Sequence, residues 1–119
     1  MIKYENKIIG KGNSVGEFGN EMLILFGQSA PDTLKEYCYT IEPVKVDGEI
    51  KVGDILELDD NKFEILEVGN IAQKNFEELG HLTVNFTESD TFDEVLTGAI
   101  MVKGKNNGID VGTTIKIVG

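Results

Sequence analysis

Ile55-Leu56-Glu57-Leu58-Asp59-Asp60-Asn61-Lys62-Phe63-Glu64-Ile65-Leu66-Glu67-Val68 decides the fold. Two apolar-rich strand patterns, 55–58 and 63–68, flank the polar segment Asp59-Asp60-Asn61-Lys62, which reads as the turn of a β-hairpin. Working outward, the same habit persists in both directions. Upstream, Ile2 to Ile9 reads as a first strand, closed by the glycine-rich loop Gly10-Lys11-Gly12-Asn13-Ser14-Val15-Gly16. Met22-Leu23-Ile24-Leu25-Phe26 is a continuous apolar run, the pattern of a strand buried on both faces. Pro31-Asp32 marks a turn, and Tyr37 to Val46 reads as extended, with Pro43 implying a bulge or an edge. Downstream, His81-Leu82-Thr83-Val84-Asn85-Phe86 alternates with period two, so Leu82, Val84 and Phe86 share a face. The last strands fall at about 98–102 and 114–118.

One segment carries a helical period, from about Asn70 to Leu79. Asn70 suits an N-cap, and Gln73 three residues on completes a capping-box pattern. Ala72, Phe76 and Leu79 then line one face, and Gly80 supplies the stop. This short helix ends directly at His81.

A faint internal repeat is also present. Ile50-Lys51-Val52-Gly53-Asp54-Ile55-Leu56-Glu57-Leu58 resembles Ile109-Asp110-Val111-Gly112-Thr113-Thr114-Ile115-Lys116-Ile117 in the pattern Ile-x-Val-Gly-x-x-apolar-x-apolar. Duplication and convergence on the same turn chemistry both account for it. Together with 14 glycines and only two prolines, these patterns predict an all-β fold: a barrel or pseudo-barrel of two packed sheets, with many short turns and the one α-helix at 70–79. Residues 1–119 are expected to form a single domain.

Composition removes several functions. The formal net charge is −10, which opposes nucleic-acid binding, because that binding depends on Lys and Arg displacing counterions from phosphates. All 11 basic residues are lysines, so no guanidinium fork is available to grip a phosphate or carboxylate. Cys38 is the only cysteine, which excludes an internal disulfide and a cysteine-rich zinc site, and a small buried hydrophobe is its expected role. No run approaches the roughly 18 apolar residues of a membrane span, and Met1-Ile2-Lys3-Tyr4-Glu5 opens no signal peptide. The expectation is a cytoplasmic protein without membrane insertion.

Catalytic patterns are scarce. The loop at 10–16 matches neither a Walker loop nor a dinucleotide fingerprint. Ser14, Ser29 and Ser89 lie in no nucleophile elbow. Asp59-Asp60 and the group Glu88, Asp90, Asp93, Glu94 lack calcium-loop spacing, and no carboxylate pair stands out for glycoside chemistry. No metal and no cofactor is expected. His81 is the sole imidazole, and it remains open between a structural role, a weak metal ligand and a nucleophile or proton shuttle.

Two blocks of sequence narrow these options. Met22-Leu23-Ile24-Leu25-Phe26 followed by Ala30-Pro31-Asp32-Thr33-Leu34-Lys35-Glu36-Tyr37-Cys38 is one. The other runs from Val68-Gly69 through the helix to Leu79-Gly80-His81 and the alternating strand ending at Phe86. Together, over most of the chain, they resemble the glucitol/sorbitol-specific IIA components of the bacterial phosphotransferase system (PTS). The resemblance implies a phosphoryl carrier for sugar transport. Such a protein receives a phosphoryl group on histidine from HPr and passes it to a IIB component, which phosphorylates the sugar entering through a IIC component.

One departure is decisive for mechanism. The family's phosphohistidine follows the cysteine by three residues, in Tyr-Cys-x-x-His, whereas this chain reads Tyr37-Cys38-Tyr39-Thr40-Ile41. Isoleucine accepts no phosphoryl group. Phosphorylation of a histidine in this chain must therefore use His81, which matches the family's Gly-His, with turn N–H groups and Lys74 as candidate partners for the phosphate. The alternative is a catalytically inactive homologue that keeps the fold as a binding or regulatory module. Whether the chain is an enzyme component stays open at this point.

Overall fold

The hairpin forms with a tighter tip than its sequence suggests. In the computed structural model, which describes residues 1–119, Leu58 pairs with Asn61, so Asn61 and Lys62 already belong to the second strand. Asp59 and Asp60 alone make the turn. Asp59 adopts φ 55°, and its Oδ1 accepts the Thr114 N–H at 2.9 Å while its own N–H donates to the Thr114 carbonyl at 2.9 Å. These two bonds hold a backbone conformation that non-glycine residues rarely adopt.

Nine strands follow in chain order: β1 (Ile2–Lys7), β2 (Gly10–Lys11), β3 (Met22–Phe26), β4 (Tyr39–Thr40), β5 (Ile55–Leu58), β6 (Asn61–Val68), β7 (Leu82–Thr87), β8 (Ala99–Lys103) and β9 (Thr114–Val118). Two helices interrupt them, α1 (Asp32–Lys35) and α2 (Ala72–Leu79), with a 3₁₀ turn at Val15–Phe18. The strands run β1-β9-β5-β6-β8-β7-β3-β4-β2 across one strongly curled sheet. β1 and β2, at its two ends, are consecutive in the chain. Ile8 donates to the Thr113 carbonyl at 3.0 Å and Ile9 to the Thr40 carbonyl at 2.9 Å, so adjacent residues bond opposite edges of the sheet. Closure of this kind removes most of the exposed edge, and the all-β pseudo-barrel is the fold observed.

The inward face is one cluster of 21 buried residues. Leu82, Val84 and Phe86 enter it from β7, as their alternation requires. Phe63 and Phe86 meet edge-on, centroids 5.2 Å apart. β3 departs from its expected burial on both faces: Met22 and Ile24 are only partly covered, because the second face carries a small satellite of Phe26, Ala30 and Cys38. Cys38 is buried as expected, its thiol donating to the Leu34 carbonyl at 3.1 Å.

The repeat corresponds to a local symmetry. Gly53 and Gly112 both have φ 96°, and each closes the same turn: Asp54 N–H to the Lys51 carbonyl and Thr113 N–H to the Asp110 carbonyl, both 3.1 Å. The strands that follow, β5 and β9, are antiparallel neighbours in the register Leu56↔Ile117, Glu57↔Lys116, Leu58↔Ile115. Shifting the repeat onto itself exchanges these pairs, so a pseudo-twofold axis passes between Glu57 and Lys116. The flanking strands extend the row to Glu5↔Lys116↔Glu57↔Lys62. Alternating charge directly across four strands favours this register over its neighbours.

The helix differs from its sequence pattern at both ends. It begins at Ala72, two residues late, and Ile71 occupies the N-cap position with no side-chain capping bond. Gln73 is diverted from the capping box: its Oε1 accepts Ile50 N–H at 2.8 Å and its Nε2 donates to the Gly48 carbonyl at 2.9 Å. Glu77 likewise takes Val46 N–H at 2.8 Å. The N–H groups of buried Val46 and Ile50 need these acceptors more than a helix end open to water does. Ala72 and Phe76 are buried, Phe76 against Tyr4 with centroids 4.4 Å apart, but Leu79 faces outward. Gly80 is the left-handed stop expected. The expected extended run 37–46 contributes only the two residues of β4, and the glycine-rich loop contributes β2, which pairs with it. Four-residue α1 fills the turn expected at Pro31-Asp32.

Candidate functional site

The two sequence blocks meet in space at Gly27. The end of β3, the end of β4 and the junction of α2 with β7 converge there: Gly27 N–H donates to the Leu79 carbonyl at 2.9 Å, and Ile41 N–H donates to the Phe26 carbonyl at 3.1 Å. Both glycines of this corner are required by contact. A Cβ on Gly27 would stand 2.6 Å from the Leu79 carbonyl oxygen, and one on Gly80, at φ 69°, would stand 2.9 Å from the Gly27 nitrogen.

His81 lies beside this crossing. Its N–H donates to the Asn75 carbonyl at 3.2 Å, closing the helix, and its ring stacks on Phe26 with centroids 4.2 Å apart and planes 13° from parallel. The ring is partly buried. No side-chain hydrogen bond of the chain engages it, and no fully buried side-chain nitrogen or oxygen of the structure lacks a partner. Burial pulls its pKa below the ordinary histidine value, and no neighbouring charge contributes to the shift. The imidazole is therefore neutral at pH 7, with a free lone pair.

Ile41 is wholly buried in the main core, and a Cβ on Gly80 would lie 3.3 Å from its Cγ1. Position 41 and His81 are thus brought to one corner, which nothing in their separation along the chain announces. Lys74 is not brought there. It sits exposed on α2, and no lysine charge contributes to the His81 shift. Phe26, which braces the imidazole, was not singled out as a site residue from sequence. Its only signal was a place at the end of an apolar run.

Beyond Gly27 the surface opens into a polar cleft of about 480 Å³ that no sequence motif marks. The carboxylates at 59–60 and 88–94 form no cluster with metal-ligand geometry. No helix of the structure is long and apolar enough to cross a membrane.

Comparison with known proteins agrees with this architecture. Residues 3–116 match the family model of the PTS system glucitol/sorbitol-specific IIA component. The glucitol/sorbitol-specific EIIA component of Escherichia coli K12 is 32% identical over 86 residues, 71% of this chain and 70% of that protein. Its counterpart from Shigella flexneri is identical to the same extent, 32% over 86 residues. The crystal structure of a PTS system IIA component from Enterococcus faecalis V583 superposes with a TM-score of 0.82 at 27% identity, covering 98% of this chain and 100% of that one. The match to the family model over residues 3–116 and the 32% identity to the Escherichia coli component place this chain in the glucitol/sorbitol-specific IIA component family of the phosphotransferase system.

Proposed function

We propose that the chain is a cytoplasmic phosphoryl carrier of a glucitol/sorbitol-type phosphotransferase relay, taking its phosphoryl group from HPr and giving it to a IIB component, with His81 as the acceptor. One observation carries this reading. The only imidazole of the chain is neutral, only partly buried and braced on Phe26 at the corner where the family's two blocks meet. A lone pair on a neutral ring nitrogen attacks phosphorus in the HPr phosphohistidine, the P–N bond to HPr breaks, and its electron pair returns to the HPr ring. Transfer to IIB repeats the step. Two partners must reach the same nitrogen in turn, which calls for small transient interfaces.

A second reading has its own support. Ile41 fills the usual acceptor position and is fully buried, and no cation stands near His81 to balance a phosphoryl dianion. These features favour a non-catalytic module that binds a relay partner or a regulator. Incubation with phosphoenolpyruvate, enzyme I and HPr, followed by intact mass, separates the two. The carrier gains one acid-labile phosphoryl group, and His81→Ala gains none. An unlabelled wild-type chain, under conditions that label an authentic carrier, overturns the carrier and leaves the binding module. Label that survives His81→Ala overturns the site.

A further inference from the structure

The cleft beyond Gly27 has an unusual lining for a chain of net charge −10: it holds two of the 11 lysines and no apolar side chain. Lys11 and Lys35 face it with Asn13, Gln28, Thr40 and a single carboxylate, Glu36. Its rim is fixed. Gly12 N–H donates to the Cys38 carbonyl at 3.0 Å and Ser14 N–H to the Glu36 carbonyl at 2.7 Å, tying the glycine-rich loop to the end of α1. Glu36 is itself engaged, its Oε2 accepting the Ser14 hydroxyl at 2.8 Å.

Donors are left over. The backbone N–H groups of Asn13 and Gln28 make no bond within the chain, and both residues line the cleft. The lysines are held only by exposed carboxylates, Lys11 by Asp110 at 3.0 Å and Lys35 by Asp32 at 3.6 Å. Solvent-exposed pairs of that kind are weak and yield readily to a better anion. Gln28 Nε2 donates to Glu42 Oε1 at 3.4 Å, which leaves its amide oxygen; with two ammoniums, the Asn13 carboxamide, a hydroxyl and two free N–H groups, the lining suits a doubly charged phosphate attached to a hydroxylated body. It does not suit an apolar ligand, which needs hydrophobic walls.

We propose that this cleft binds a small phosphate monoester of a polyol, its phosphate between Lys11 and Lys35 and its hydroxyls on Asn13, Gln28 and Thr40. The site is independent of any phosphoryl group on His81, although Gly27 is a wall common to both. Binding there places a ligand beside the partner-facing corner.

The test is an amide-resolved NMR titration of the full chain at fixed ionic strength, with glucitol 6-phosphate, inorganic phosphate, sulfate and unphosphorylated glucitol. The expected result is saturable movement of the Asn13 and Gln28 amides with glucitol 6-phosphate, weaker with inorganic phosphate and absent with glucitol. Lys35→Gln, an exposed substitution that leaves the fold intact, is expected to weaken the affinity about tenfold, the loss of one charge-assisted hydrogen bond. His81→Ala is expected to leave it unchanged, so failure of the carrier reading and failure of this one are read separately. Equal response to sulfate and the ester, movement confined to residues outside the cleft, or an affinity indifferent to Lys35→Gln would each overturn the site.

Discussion

The turns Lys51-Val52-Gly53-Asp54 and Asp110-Val111-Gly112-Thr113 are built alike and anchored differently. Both glycines have φ 96°, and both donate to a carbonyl of the adjoining chain at 2.8 Å, Gly53 to Ile65 and Gly112 to Ile8. Both place an exposed valine at the tip and a buried polar residue at the fourth position. At the first corner that residue is a carboxylate. Asp54 Oδ2 accepts Lys3 Nζ at 2.7 Å and Lys51 N–H at 2.9 Å, fastening β1 to the start of β5. At the second it is a hydroxyl, with Thr113 Oγ1 accepting only the Asp110 N–H at 3.1 Å. The backbone shape is shared, and the side-chain anchor differs. The two corners should therefore share one sensitivity and differ in another.

The largest expected effect is at the anchor. Asp54→Ala leaves the mostly buried Lys3 ammonium with only the Glu49 carbonyl, at a cost of about 3 kcal/mol in urea unfolding. The same truncation at the other corner, Thr113→Ala, should cost about 1 kcal/mol, the loss of one neutral hydrogen bond. Equal costs would break the comparison.

Acid should read the same difference. Burial pushes the Asp54 carboxyl up, but the Lys3 side chain, the Lys51 N–H and the charges of both lysines outweigh it and leave its pKa below the ordinary aspartate value. A carboxyl depressed in the folded state stabilises fully above its unfolded pKa, and this contribution disappears as pH falls through the folded one. Asp54→Asn should therefore lose less stability than the wild type between pH 5 and 2, whereas Thr113→Val should retain the wild-type slope. His81 acts in a separate window with the same sign. Its depressed pKa means that its contribution is present above about pH 6.5 and is lost on acidification through the lower folded value. His81→Gln should flatten the stability profile between pH 7 and 5 without touching the steeper loss below.

Substitution at the shared element comes next. Space is open around both turn glycines, so Gly53→Ala and Gly112→Ala are costly only through their positive φ, about 1–2 kcal/mol each. Similar values in thermal or urea unfolding would confirm that the turns are equivalent in backbone. The smallest effect belongs to the charge row on the axis. Reversing Glu57→Lys puts three like charges in line with Lys116 and Lys62, at a cost of about 0.5–1 kcal/mol that salt reduces. A cost unchanged in 1 M salt would mean that the row does not set the register electrostatically.

These turns were legible in the sequence because they are local. Gly53 and Gly112 announce their own conformation, and the alternation of Leu82, Val84 and Phe86 needs no distant partner to be read. The symmetry of β5 and β9 was visible only as a pattern, since nothing in either nonapeptide says that the two will be neighbours. The helix start misled for the opposite reason. Asn70 and Gln73 carry a sound capping signal, but Gln73 serves a loop more than 20 residues upstream, and local rules cannot weigh that need. The corner of Phe26, Gly27, Ile41 and His81 was the least legible part. It exists because two glycines let three segments touch, and sequence separation hides contact. The cleft of Lys11 and Lys35 escaped for the same reason, because its lysines belong to separate elements, β2 and α1.

The bonding of Ile8 and Ile9 to opposite edges of the sheet has a consequence for how the chain acquires its fold during synthesis. β1 is made before the other eight strands and its partner β9 after them, and Tyr4 lies opposite Ile117. Until residues 114–118 emerge, the opening strand has nothing to pair with, and the Phe76 ring waits without the Tyr4 ring that covers it. The interval is one in which the nascent polypeptide carries an unmatched β-segment, open to chaperones or to the same segment of a neighbouring copy. Completion of the barrel is thus timed by its final strand.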